Sequence, residues 1–166
     1  MHSNKHKIRK ANKNHQVVSG WQYNNPTGFC ELLEIFHEFL DEYSHEGQPN
    51  AQYLNRLINI EQTEGPTKGY AKGIRQDGRL QCLLVARIEP NLWFERSDCN
   101  YVCLLKRPEC DPRHVAKILR NCEIWAEDNG ARSCFIETWM MRPAYVRWAK
   151  RLKYNERSYV LQKELK

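Results

Sequence analysis

Apolar positions along this chain recur with two different periods, and these periods predict its secondary structure. Between Pro26 and Tyr43 they recur every three or four residues, which is typical of one buried helix face. Between Arg79 and Glu89 they fill both alternating sets of positions, which predicts a central strand covered on both faces. The whole pattern predicts the order β-α-α-β-β-β-α-β-α-β, with strands over 16–23, 68–75, 79–89, 100–107, 133–139 and 158–165.

The stretch from Asn100 to Trp139 organises the rest of the prediction. The apolar run Tyr101–Leu105 suits a buried strand, and Asp111-Pro112 is a typical helix start, with an N-capping acid followed by proline in the first turn. Gly130 is a fitting helix stop before the next strand. A strand, a helix and a second strand joined by tight connections form a βαβ crossover, and the start of such a helix can bind an anion.

Two turn regions complete the outline. Asp77-Gly78 favours a tight hairpin between the strands on either side of it. In the irregular connection Pro90–Asp98, Trp93 and Phe94 could cover the sheet edge or line a site, and we expect them to pack against the sheet.

Composition supports a single globular domain with a basic extension. The 166 residues are 41% hydrophobic, and residues 1–15 contain five Lys or Arg and no acid, so we expect a basic flexible arm over 1–15 and one domain over 16–166. Residues 142–166 carry eight further Lys or Arg against two Glu. Basic ends favour nucleic acid, a phosphorylated cofactor or an acidic protein as partner, although a merely solvated surface gives the same composition.

The remaining compositional signals concern location, cysteines and metals. We expect no membrane partner and a cytoplasmic location, because no apolar run approaches the length of a membrane span and no signal-peptide pattern follows the start. Seven cysteines, several inside apolar runs, favour reduced thiols. The spacing of Cys99, Cys103, Cys110 and His114 suggests a metal site, but an extended segment would place the first two sulfurs roughly 13 Å apart. We therefore predict no metal site.

The order of elements, with the Asp-Gly hairpin, resembles the GNAT superfamily of N-acetyltransferases over residues 16–166. Three segments of the second half carry the resemblance: Trp125–Ala131 is similar to the end of the family's central helix, Ala144–Tyr154 to its last helix, and Arg157–Leu165 to its closing strand. The resemblance implies an α/β fold with a mixed, mostly antiparallel sheet of six to seven strands flanked by helices. In its brevity the chain is also similar to small acetyltransferase-like proteins encoded by bacteriophages, which implies the host cytoplasm or the virion as its location.

The resemblance also implies a cofactor and a set of site residues. Acetyl-CoA would lay its pantetheine arm along the strand and its pyrophosphate at the start of the following helix, with contacts from Leu104, Leu105, Lys106, Arg113, His114, Val115 and Ala116. Glu137 is the candidate base for the accepting amine, or an ordinary carboxylate at a strand end. Tyr145 is a substitute for the family's leaving-group acid, whose position is occupied by Ala149.

The chain departs from the family where the coenzyme would bind. The loop written Q/R-x-x-G-x-G/A corresponds to Asp111–Ala116, and only Ala116 agrees. Asp111 brings a negative charge, Pro112 removes a donor, and His114 replaces a glycine, while Arg113, with Lys106, Arg107 and Lys117, could restore positive charge. In the last helix, Lys153 stands where a small turn residue is expected.

Two hypotheses follow. The first is an acetyl-CoA-dependent N-acetyltransferase that acts on an amine of a small molecule or protein through a divergent pyrophosphate loop. The second is a catalytically inactive module of the same fold, a virus-encoded accessory or virion component that has lost acetyl-CoA and binds nucleic acid or a partner protein through its basic ends.

Overall fold

The computed structural model describes residues 15–43, 50–136, 147 and 149–154, with side chains described as far as Glu38 in the first range. The chain divides into two compact units, Met1–Ile136 and Glu137–Lys166. The first unit contains β1 (His15–Ser19), a 3₁₀ turn (Gly20–Tyr23), α1 (Pro26–Tyr43), α2 (Ala51–Ile58), α3 (Ile60–Thr63), β2 (Gly69–Gln76), β3 (Arg79–Pro90), β4 (Ser97–Lys106), α4 (Pro112–Asp128) and β5 (Ala131–Ile136). Up to β5 this is the predicted order, with the short α3 added.

The first strand is shorter than predicted, because residues 20–23 turn away from the sheet. A Cβ atom on Gly20 would lie 2.8 Å from both the carbonyl oxygen of Ile58 and the Cβ atom of Ala71. Glycine therefore permits a close approach to α2 and β2 that a longer strand would not make. The Ser19 N–H group donates to the side-chain oxygen of Gln22 (3.0 Å) and fixes the start of the turn.

The described part of the sheet has five strands in the order β1-β2-β3-β4-β5. The first four are antiparallel, and β5 lies parallel to β4, as the predicted β4-α4-β5 crossover requires. The hairpin at Asp77-Gly78 is confirmed, with φ of 52° and 80° at its two residues. Val102 is an extra residue in β4 opposite Val85 and Ala86, so the strand carries a bulge before its end.

The sheet separates two apolar layers. One layer packs α1 and α2 against the sheet and contains Leu32, Ile35, Leu54, Ile58, Leu83, Val85 and Leu105, among others. By alternation, the intervening β3 residues Cys82, Leu84 and Ala86 face α4, whose own buried residues include Val115, Ile118, Leu119, Cys122 and Ala126. The central position of β3 is therefore as predicted.

The described residues of the second unit are the end of a helix. Arg147 and Ala149–Arg151 are helical, and the Tyr154 N–H group donates to the Ala149 carbonyl group (3.0 Å). Lys153 has a φ of 68°, a left-handed conformation that favours glycine and explains why the family has a small residue there. The rest of the predicted last helix and the predicted strand over 158–165 lie outside the described residues.

Two further expectations are tested by the first unit. Trp93 and Phe94 are 87% and 63% exposed, so the prediction that they pack is wrong. Asn91 holds their turn instead, since its side-chain oxygen accepts the N–H groups of both. Among the described residues, none of the helices combines the length and the hydropathy that crossing a bilayer requires.

Candidate functional site

The candidate site is the end of the sheet where β4 gives way to α4. The connecting loop is anchored on β3, because the Arg107 N–H group donates to the carbonyl group of Gln81 (3.0 Å). Cys110 then donates its N–H group to the Arg107 carbonyl group (3.0 Å), which turns the chain into α4. His15, at the start of β1, contacts His114 at the same end. The end of β4, with Leu104–Lys106, and the start of α4, with Arg113–Ala116, are therefore joined by a short loop at this end of the sheet.

The donors at the start of α4 are already used. Pro112 has no N–H group, and the N–H group of Arg113 donates to Oδ1 of Asp111 (2.9 Å), which confirms the predicted N-cap. The N–H group of His114 donates to the Asp111 carbonyl oxygen (2.8 Å). A bound phosphate would need these same groups, so the first turn of α4 does not present a preformed anion site.

The Asp111 carboxylate is also paired with the side chain of Arg113. The Arg113 Nε atom lies 3.1 Å and 3.0 Å from the two carboxylate oxygens, and Nη2 lies 2.6 Å from Oδ2. These hydrogen bonds hold the pKa of Asp111 well below its usual range and raise the pKa of Arg113. The two residues are here called the Asp111–Arg113 cap. The Asp111 carboxylate places a negative charge where the resemblance implies a phosphate, and it pairs with the Arg113 guanidinium that would otherwise bind that phosphate.

His114 closes the site from the side of the sheet. Its side chain is 5% exposed, and its Nε2 atom lies 3.2 Å from Nδ1 of His15. Its Nδ1 atom is buried and has no hydrogen-bond partner among the residues that the structure describes. Burial, and next the charge of His15, lower the pKa of His114. A buried, neutral imidazole therefore lies at the position where the resemblance implies a glycine.

The other residues predicted to contact the coenzyme differ in burial. Leu105 and Val115 are buried core residues on opposite faces of the sheet, whereas Leu104, Lys106 and Ala116 are half-buried. The described pairing of β4 with β5 ends at Tyr101 and Ile136, five residues before the end of β4. Glu137 and Tyr145 lie outside the described residues, so their roles as base and acid stay predictions.

Arg107 has a different role from the one expected. It was expected to add positive charge at the pyrophosphate, but its side chain is fully buried, and Nε donates to the carbonyl group of Leu80 (2.8 Å). Its Nη1 atom donates to Glu38, and Nη2 donates to Glu34 (3.4 Å), so it joins the loop after β4 to α1. The sequence signal for this link was the pair of glutamates four residues apart on α1, which lie on one helix face.

A second concavity lies beside the first half of α1. This open groove, of about 660 Å³, is lined by Gln16, Gln22, Tyr23, Glu31, Glu34 and Arg75, among others. Its Glu31 carboxylate accepts from the Leu80 N–H group (2.6 Å) and pairs with Arg75 (3.2 Å). Both oxygens of Glu31 thus hold the β2-β3 hairpin to α1, and the carboxylate is a structural link.

Comparison with solved structures supports the fold described above. No protein-family model and no curated protein matches the sequence. Among solved structures, an aminoglycoside acetyltransferase from an uncultured soil metagenomic sample has a TM-score of 0.61 at 14% identity, over 93% of this chain and 97% of that one. Glucosamine-6-phosphate N-acetyltransferase from Arabidopsis thaliana has a TM-score of 0.65 at 9% identity, over 92% and 99%.

A GNAT family acetyltransferase from Staphylococcus aureus has a TM-score of 0.57 at 10% identity, over 92% of this chain and 98% of that one. The chain has the GNAT fold. At these identities the likeness shows the fold alone, and what these proteins act on is a property of each of them. Within the GNAT fold, β4 and the start of α4 are the elements that the resemblance assigned to the coenzyme, and in this chain the Asp111–Arg113 cap covers the second of them.

Proposed function

We propose that this chain is an acetyl-CoA-dependent N-acetyltransferase, acting on an amine, whose pyrophosphate site is closed by the Asp111–Arg113 cap until coenzyme binds. The observation that carries the proposal is the β4-loop-α4 unit, which brings Leu104–Lys106 and Arg113–Ala116 to one end of a GNAT-fold sheet. The compared structures are those of acetyltransferases, which supports the same reaction class.

The residues present fit a diphosphate once the cap opens. The side chain of Arg113 is 90% exposed and that of Asp111 29% exposed, and exposed ion pairs contribute little net stability. The guanidinium can therefore turn from the carboxylate to a phosphate, which it would bind through two parallel hydrogen bonds. Asp111 would still repel the phosphate, so we expect weak coenzyme binding.

Under this proposal each part of the site has a simple task. Acetyl-CoA supplies a thioester-activated acetyl group. The end of β4 would line the pantetheine arm, and Arg113 would hold the diphosphate. Glu137 would accept the proton of the amine, directly or through water, and Tyr145 would protonate the departing sulfur. The acceptor amine is not specified by any described residue, because acceptor sites depend on loops of variable composition.

Calorimetric titration with acetyl-CoA tests the proposal. We expect Asp111→Asn to tighten binding roughly tenfold, because it removes a like charge a few ångströms from the phosphates while asparagine keeps the N-cap. Asp128→Asn, at the other end of α4, makes the same change of charge and should leave the affinity unchanged. Acetyl-pantetheine, which lacks the diphosphate, should bind both variants and the parent protein equally.

The proposal fails if neither the parent protein nor Asp111→Asn binds acetyl-CoA at millimolar concentration. In that case the second candidate gains support: an inactive GNAT-fold module that binds nucleic acid or an acidic protein through residues 1–15 and 142–166. The specific observation in its favour is that the N–H groups of Arg113 and His114, at the start of α4, both donate to Asp111.

Fluorescence anisotropy with a labelled oligonucleotide tests this second candidate. Affinity should fall steeply between 50 and 200 mM salt, and also when residues 1–14 are deleted. The deletion should stop before His15, which belongs to β1 and contacts His114. Affinity that changes with neither salt nor the deletion would contradict binding through the basic arm.

A further inference from the structure

Two cysteines face each other beside the candidate site. Cys82 lies on β3 opposite Lys106, the last residue of β4. The loop after Lys106 turns back over the start of β3, through the hydrogen bonds from Arg107 to Gln81 and from Cys110 to Arg107 (both 3.0 Å). This turn brings Cys110 next to Cys82, close enough for each thiol to shift the pKa of the other. Both are free thiols, 7% exposed at Cys110 and fully buried at Cys82.

The two thiols differ in exposure and in the direction of their pKa shifts. Interaction with the Cys82 thiol and, secondarily, the nearby ammonium group of Lys106 lower the pKa of Cys110, against burial and the charges of Asp111 and Glu109. The same interaction and burial raise the pKa of Cys82. Thiolates, not thiols, are the nucleophiles in oxidation, so Cys110, which is also the more exposed of the two, is the attacking member of the pair and Cys82 the second member.

Three other thiols in the described part of the chain have pKa values that are raised, unlike that of Cys110. Burial raises the pKa of Cys103 to about 12, and the pKa values of Cys99 and Cys134 are raised mainly by hydrogen bonds to neighbouring thiols. Cys30 is exposed on α1 and is the one that a reagent would reach without selectivity. These residues provide the comparison set for an experiment on the Cys82–Cys110 pair.

We propose that Cys110 and Cys82 form a peroxide-sensitive dithiol, which closes to a disulfide beside the first turn of α4. The thiolate of Cys110 attacks one oxygen of hydrogen peroxide, the O–O bond breaks, and hydroxide leaves, which gives a sulfenic acid. The sulfur of Cys82 then displaces the hydroxyl group as water and loses its proton. Two thiols and one peroxide thus give one disulfide and two waters, and the two electrons pass to the peroxide.

The cross-link would tie the loop before Asp111 to β3. It would close a loop from residue 82 to residue 110, which restricts the unfolded chain more than the folded one. We expect oxidation to raise the thermal midpoint by roughly 5–10 °C, reversibly with dithiothreitol. This inference does not depend on the proposed function, because neither the reaction nor its measurement involves coenzyme.

The test uses the full chain carrying Cys30→Ser, so that the exposed thiol does not react. The protein is treated with equimolar hydrogen peroxide, quenched with catalase, alkylated and digested, and the peptides are analysed by mass spectrometry. We expect a cross-linked peptide pair containing Cys82 and Cys110, with the loss of two hydrogen atoms.

In Cys82→Ser, dimedone should label Cys110 as a trapped sulfenic acid. In Cys110→Ser, Cys82 should stay reduced, and Cys103→Ser should behave as the parent protein.

Several outcomes would overturn the proposal. The first is that both thiols stay reduced after peroxide treatment. The second is that a disulfide joins Cys99 to Cys122 or Cys134 in place of this pair. The third is that dimedone labels Cys82 in Cys110→Ser. An unchanged thermal midpoint in protein whose cross-link has been verified would separately contradict the expected tie between the loop and β3.

Discussion

Replacing Arg107 by alanine is expected to lower the free energy of unfolding by about 3 kcal/mol, at the lower end of the roughly 3–5 kcal/mol found when one partner of a buried ion pair is removed. The Arg107 side chain is fully buried, and its loss removes the Nε donor of the Leu80 carbonyl group. The partner glutamates soften the cost, because the side chains of Glu38 and Glu34 are 32% and 62% exposed and can be hydrated.

Arg79 is the matched control, because it pairs with the same Glu38 (3.4 Å) from the surface. Its side chain is 52% exposed, and it also reaches Glu109 (3.3 Å). An exposed pair contributes about 0–1 kcal/mol, so Arg79→Ala should cost less than about 1 kcal/mol. Arg107→Met, which keeps most of the volume, should fall between the two alanine variants and separates packing from charge.

The assay is urea unfolding with linear extrapolation, at constant m value. A double-mutant cycle with Glu38→Gln should give a larger coupling energy for Arg107 than for Arg79. If Arg107→Ala and Arg79→Ala differ by less than about 0.5 kcal/mol, burial does not set the strength of these pairs, and the reasoning fails.

Two smaller predictions concern a strained residue and a buried histidine. Lys153→Gly should raise the free energy of unfolding by about 0.5–1 kcal/mol, because it removes the strain of a lysine at φ 68°. As a control, Lys150→Gly in the preceding helix should lower the free energy of unfolding by about 1 kcal/mol. A thermal midpoint that falls in both variants would contradict this prediction. Because folding lowers the pKa of His114, the unfolded chain binds more protons below about pH 6.5. Stability should therefore fall as the pH drops from 7 to 5, and this fall should be smaller in His114→Gln; an equal fall in both proteins would contradict the assignment to His114.

The sequence alone determined the order of elements through β5. Helix and strand periods are local properties of the chain, and so are the turn at Asp77-Gly78 and the N-cap at Asp111, which is why all three were predictable. The resemblance to the GNAT superfamily followed from that order, and it also marked Asp111–Ala116 as the place where the chain departs from the pattern of that superfamily.

Contacts between distant residues were decided only by the tertiary structure. Arg107 was expected beside a phosphate, but burial between β3 and α1 gave it a carbonyl group and two glutamates as partners. Trp93 and Phe94 were expected to pack, but the side chain of Asn91 holds their turn in solvent. A residue type limits the interactions that a side chain can make, whereas the sheet register and the helix placement choose among them, because both depend on chain segments far apart in sequence.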